Sequence, residues 1–185
     1  MTKPRIDERC IRQTEAELVR LHEALHEAFA RRKASASRLT AWKSAAERFR
    51  LYDSQVFELW SDEAREGILR GENGWRESAL LYLDRSPRFF RSGYLRDRLC
   101  YLLKQCELSE AERDDVRRIL LESLERRPSV GRFGYDCRRA ARWADKFFVA
   151  RLEALAERKD GWTRGRARLM LGAIEYRKHL EGSGS

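Results

Sequence analysis

Gly93-Tyr94-Leu95-Arg96-Asp97-Arg98 returns twice with its glycine, aromatic ring and final arginine at the same spacing. The later copies are Gly134-Tyr135-Asp136-Cys137-Arg138-Arg139 and Gly161-Trp162-Thr163-Arg164-Gly165-Arg166. Gly74-Trp75 opens another segment in the same way, without the arginine. Each phrase stands before a run of apolar residues at helical spacing. A glycine frees the backbone at a turn, and an aromatic ring just inside the next helix can bury a large area against the helix before it. The phrase therefore predicts joints between stacked helices.

The rest of the sequence agrees with an all-α fold. Hydrophobic residues make up 42% of the 185 and charged residues 37%, enough apolar material for a core beneath exposed outer faces. Pro4, Pro87 and Pro128 are the only prolines, so long stretches are free to be helical. Strand-like alternation rich in Val, Ile and Thr is missing.

Ile11, Thr14, Leu18, Leu21, Leu25 and Ala28 follow a/d spacing over residues 6–32, with one polar break at Thr14. After the small turn 33–37, Leu39, Trp42, Ala46, Phe49, Val56 and Trp60 continue near the same spacing. Two such seams predict an antiparallel helical hairpin over residues 1–60. It leaves open a homo-oligomer formed through that hairpin. Ser61 with Asp62 and Glu63 predicts a helix start, and Gly71 its end. Residues 75–84 form a short apolar helix. Ser86-Pro87 reads as an N-cap followed by proline at the first helical position. Ser109 to Glu112 is a capping box, followed by a stripe of Val116, Ile119, Leu120 and Leu124. A loop is expected over 128–133, then helices at 135–144, 146–159 and beyond Gly161.

Over about 93–180 this order of short helices resembles HEAT-like α-helical repeats. The openings fall 19, 41 and 27 residues apart, so the resemblance implies an irregular stack of helix pairs rather than a regular solenoid. Residues 61–181 are read as that second domain, and 182–185, Gly-Ser-Gly-Ser, as an appended linker.

Net charge is +9, and residues 132–178 hold thirteen Lys or Arg against six Asp or Glu. Arg138 and Arg142, and Arg164 and Arg168, are one helical turn apart. Arg139 and Arg166 occupy equivalent places in the repeated phrase. Cations in the first turn of a helix oppose its dipole, so Arg164, Arg166 and Arg168 suit a bound anion, with Asp160 as a partial offset. Trp143 and Trp162 stand beside them as stacking surfaces. These eight side chains form the candidate binding set. The competing reading makes Arg98, Arg139 and Arg166 structural, each bonding a neighbour's carboxylate or helix end.

His22-Glu23-Ala24-Leu25-His26 matches the H-E-x-x-H signature of zinc proteases. The seam, however, places Glu23 toward solvent. Glu47 could serve as a third ligand, but nothing specifies it. No P-loop or nucleophile elbow is present. We assign no catalytic residue, no metal and no cofactor. The expected function is a non-enzymatic scaffold for protein–protein interaction with an acidic partner. A nucleic-acid-binding module using the basic C-terminal helices is the alternative, and a zinc hydrolase through His22, Glu23 and His26 a minor one. Cys10, Cys100, Cys106 and Cys137 lack metal-ligand spacing. No apolar stretch reaches the ~20 residues of a membrane span, and the charged start lacks a secretory signal. A cytoplasmic location is expected.

Overall fold

The computed structural model describes residues 5–72, 74–125 and 130–182; the side chains of 130–132, 134 and 135 lie outside that description. The fold is all-α, with no strand among the described residues. The helices are α1 (Glu8–Arg31), α2 (Ala36–Leu51), α3 (Asp62–Arg70), α4 (Trp75–Arg85), α5 (Ser92–Gln105), α6 (Glu110–Glu125), α7 (Val130–Trp143), α8 (Lys146–Ala156) and α9 (Gly161–Gly182). A 3₁₀ helix, Gln55–Trp60, lies between α2 and α3. No helix among the described residues is long and apolar enough to cross a membrane.

The chain divides into two compact units, Met1–Cys106 and Glu107–Ser185. Residues 60 and 61, where the sequence reading placed a domain boundary, both lie in the first unit. The reason is packing: α1 contacts α4 and the 3₁₀ helix as well as α2. Buried Ile6 and the neighbouring Arg5 donate their amides to the Ser78 hydroxyl of α4, at 3.1 and 2.8 Å.

In the first unit, α1 buries Ile11, Thr14, Leu18 and Leu21. The polar break in its seam has a partner. Thr14 Oγ1 is bonded to Ser54 Oγ and also donates to Cys10 O at 2.8 Å. Ser54 lies where α2 has already stopped. The second seam does not run on to Trp60, because Tyr52 turns extended and Ser54 caps the 3₁₀ helix through the Val56 amide. Asp and Ser favour such local bonds over helix continuation.

Helix α3 starts and stops as its sequence predicts. Ser61 Oγ accepts from Ala64 N at 3.0 Å, and Gly71 closes the helix at φ 75°. Arg76 then clasps this end from α4, donating to Ile68 O at 2.7 Å and Leu69 O at 3.0 Å. Ser86-Pro87 does not begin a helix. Ser86 ends α4, its amide donating to Tyr82 O, and α5 begins only at Ser92. The residue in left-handed conformation before α5 is Arg91, at φ 68°, rather than Gly93.

The second unit opens on the capping box. Ser109 N donates to Glu112 Oε2 at 2.7 Å, and Glu112 N donates back to Ser109 Oγ at 3.3 Å. Helix α6 buries Val116, Ile119, Leu120 and Leu124. Helix α7 begins at Val130, earlier than the loop expected over 128–133; Pro128 and Ser129 lie outside the described residues. Helix α9 packs on both α7 and α8 and buries Met170 and Ile174, whereas Leu169 and Tyr176 are exposed.

Candidate functional site

Asp160 holds the start of α9. Its carboxylate accepts from the amides of Trp162 and Thr163 at 3.2 and 3.1 Å, and from the Thr163 hydroxyl at 2.6 Å. That anion offsets the cations crowded into the first turns. Arg164 and Arg168 are exposed there, as are Arg138 and Arg142 on α7. Arg139, Trp143 and Arg166 are instead buried, and Trp162 is 41% exposed. The structure thus splits the eight candidate side chains between surface and interior.

The buried arginines have structural work. Arg166 Nη1 donates to Ser123 O at 2.9 Å and Leu124 O at 3.3 Å, carbonyls in the last turn of α6. Its guanidinium lies 4.0 Å from the Phe133 ring centroid and 5.4 Å from that of Trp162. Burial pushes its pKa below the ordinary arginine value, against the fields of Asp136 and Cys137. Arg139 Nη1 pairs with the buried Asp136 at 3.0 Å. In the first unit, Arg98 reaches Ser61 O at 3.4 Å. The repeated phrase therefore earns its arginine by intramolecular bonding. Its aromatic ring is less consistent: Trp75 is 1% exposed but Tyr94 is 71% exposed, and the Tyr135 side chain lies outside the described residues.

Glu110, Asp114 and Asp145 bring carboxylate oxygens within 4.8 Å of one another. An arginine fills that cluster. Arg117 Nη1 lies 2.8, 2.6 and 3.1 Å from them, and its Nε donates to Trp143 O at 2.8 Å. Burial opposes its charge, but the hydrogen bonds to Glu110 and Asp114 and the field of Asp145 outweigh it and raise its pKa. Glu110 and Asp114 are largely exposed, which screens the pairs. Arg117→Gln is expected to cost about 1–2 kcal/mol, more at low salt, read as a lowered urea midpoint.

Cys137 is buried on α7, and desolvation pushes its thiol up to about 11. It is a thiol at neutral pH, not a nucleophile.

The first unit contains a feature absent from the sequence reading. An open groove of about 1110 Å³ runs between α1, α2, the 3₁₀ helix and the start of α5. Phe49 and Tyr52 wall it from α2 and its exit, and Phe57 and Trp60 from the 3₁₀ helix. Phe89, Phe90 and Tyr94 add three more rings to the lining. The rings support one another edge to face, with centroids 5.5 Å apart for Phe49 and Phe90 and 6.5 Å apart for Phe57 and Phe89. Arg50 and Arg91 are the charged lining residues. Neither makes an ion pair among the described residues, whereas Arg12, Arg20, Arg85, Arg118 and Arg158 all do. The Phe89-Phe90-Arg91 run was the available signal. It had no visible complement, because Phe49 and Phe57 stand more than thirty residues away in the sequence.

His22 lies beside this groove, its ring centroid 5.7 Å from Phe49 and 6.1 Å from Phe90. His22 Nε2 and His26 Nε2 are 3.1 Å apart. Glu23 is exposed, and no third His, Cys, Asp or Glu, Glu47 included, joins the two imidazoles at ligand distance among the described residues. No protein-family model, no curated protein and no solved structure matches the chain.

Proposed function

We propose that this chain is a non-catalytic helical docking scaffold, and that the groove of its first unit receives an acidic protein segment carrying an aromatic or branched apolar anchor. One observation carries the reading: a ring-walled groove holds two guanidinium groups, Arg50 and Arg91, that have no carboxylate of their own among the described residues. Rings of this size supply contact area at low entropic cost, and arginine pairs bidentately with a carboxylate. The surrounding unit is also net positive, with 21 Lys or Arg against 16 Asp or Glu in residues 1–106, which favours fast, salt-sensitive encounter with an acidic partner.

Backbone strain supports the same place. Arg91 sits at φ 68°, a conformation that costs an L residue about 1–2 kcal/mol and glycine almost nothing. Strain of this kind is kept where the side chain is needed. Arg91→Gly is therefore expected to stabilise the fold by about 1 kcal/mol while weakening partner binding. Denaturant titration and fluorescence anisotropy on the same preparation check both halves.

The probe for the docking reading is a set of labelled twelve-residue peptides with a Trp or Leu flanked by Asp and Glu, beside the same peptides with Asn and Gln. The acidic set should bind more tightly, more so at low salt, and lose at least about tenfold in affinity on Arg50→Glu with Arg91→Glu. Equal binding of the neutral set, or unchanged affinity in the double variant, would sink the proposal.

The second reading is single-stranded nucleic acid held by the second unit. It is favoured by exposed Arg138 and Arg142 on α7 and exposed Arg164 and Arg168 on α9, with Trp162 partly open near them in sequence. An oligonucleotide salt series with Arg138→Glu and Arg168→Glu separates it from the first, since neither residue lines the groove.

A further inference from the structure

We propose that His22 and His26 form a two-imidazole site for a divalent transition-metal ion of the zinc, nickel and copper class. Independently of what enters the groove, the geometry of α1 brings these rings together. Residues four apart on a helix share a face, and here the two Nε2 atoms approach to 3.1 Å. Two nitrogens bound to one ion at about 2.0–2.1 Å, with an angle near 100° between them, stand about 3.1–3.2 Å apart. The spacing needed for shared coordination is already present as a hydrogen-bonding contact between the rings, whose shared proton the ion would replace.

Ring packing contributes the second half of the argument. His22 is half-buried, its ring nearly parallel to Phe90 at an interplanar angle of 22° and tilted against Phe49. A ligand held by packing loses less freedom when the ion binds. His26 is exposed and adjusts by small rotations. Its ring centroid lies 4.4 Å from that of His22. Neutral imidazole selects zinc, nickel or copper over calcium and magnesium, which require oxygen.

Two protein ligands leave the remaining positions to water or to a carboxylate from outside the chain. That composition differs from a hydrolytic zinc centre, which uses three protein ligands and an activated water. The ion would act as a clip across one turn of α1 beside the aromatic groove. No bond-making step is assigned to Glu23.

The test uses the untagged full chain at neutral pH with zinc and nickel chlorides as the probes, followed by isothermal titration calorimetry. One ion per chain is expected, with affinity reduced at least about tenfold in His26→Gln. His26→Gln combined with Glu27→His keeps two imidazoles but destroys the one-turn spacing, and should bind as weakly as His26→Gln alone. His179→Gln should bind as the parent does. His26 is exposed, so these variants are expected to fold. Cobalt absorption identifies the donor atoms: a nitrogen and oxygen spectrum without an intense near-ultraviolet thiolate band is expected. No binding at 100 µM metal, undiminished binding in His26→Gln, or a thiolate band removed by alkylation would each overturn the assignment.

Discussion

Gly67→Ala is expected to destabilise the first unit by about 3 kcal/mol, equivalent to a fall in Tm of roughly 13 °C for a unit of this size. A β-carbon at this position would lie 2.0 Å from Trp75 Cδ1 and 2.8 Å from Trp75 Cγ. Trp75 cannot readily move aside. It is 1% exposed, and the Arg5 guanidinium covers it at 4.4 Å. Helix propensity alone would favour alanine by about 1 kcal/mol. The clash has the opposite sign and the larger magnitude, because displacing a buried tryptophan forfeits a large share of its burial. Combining Gly67→Ala with Trp75→Leu should cost clearly less than the two single losses added together. Additive losses, or a stable Gly67→Ala protein, would show that this contact does not control the packing of α3 on α4.

The second large effect concerns Arg166. Replacing it with Met is expected to cost the second unit about 3 kcal/mol, as a lowered urea midpoint at unchanged slope. The substitution keeps much of the apolar stem but removes the donors for Ser123 O and Leu124 O. It also removes the cation from the face of Phe133 and a compensating charge near buried Asp136. Arg166→Lys should recover only part of the loss, because an ammonium lacks the planar fork and is more strongly hydrated. Amide exchange should speed up most at the C-terminal end of α6. A variant of unchanged midpoint would return Arg166 to the list of ligand-binding candidates.

Arg166 is one instance of a recurring device. Arg76 clasps the end of α3, Arg117 reaches the terminal carbonyl of α7 at Trp143, and Arg166 clasps α6. The last carbonyls of a helix have no partner within it. A guanidinium from another helix can satisfy one or two of them and brings positive charge to the negative end of the dipole. Of the six arginines that suggested an anion surface, Arg139 and Arg166 are taken up inside the protein, and Arg138, Arg142, Arg164 and Arg168 stay exposed. Arg50 and Arg91 differ from these clasping arginines in lying along the ring-walled groove, where Arg91 sits 5.2 Å from the Phe90 ring centroid and neither meets a carboxylate among the described residues.

The local signals were legible because they require only neighbours in sequence. Ser61 and Gly71 bracket α3, the Ser109–Glu112 box starts α6, and Asp160 starts α9; each is a side chain bonding a backbone amide within three residues, or a glycine adopting the one conformation its turn needs. Where two local readings competed, tertiary partners chose. Ser86-Pro87 could start a helix, but the Arg88 amide just beyond it is held by the Glu15 carboxylate of α1 at 2.6 Å, while Ser86 closes α4. The second seam could have continued to Trp60, but Thr14 found Ser54.

Sequence alone determined that this chain is helical, and where several helices begin and end, because capping and periodicity act within a turn or two. It could not determine which arginines would be buried or which rings would share a groove. Those outcomes depend on desolvation and contact between residues tens of positions apart, such as Arg166 with Ser123 and Phe49 with Phe90. Only the folded arrangement sets those distances.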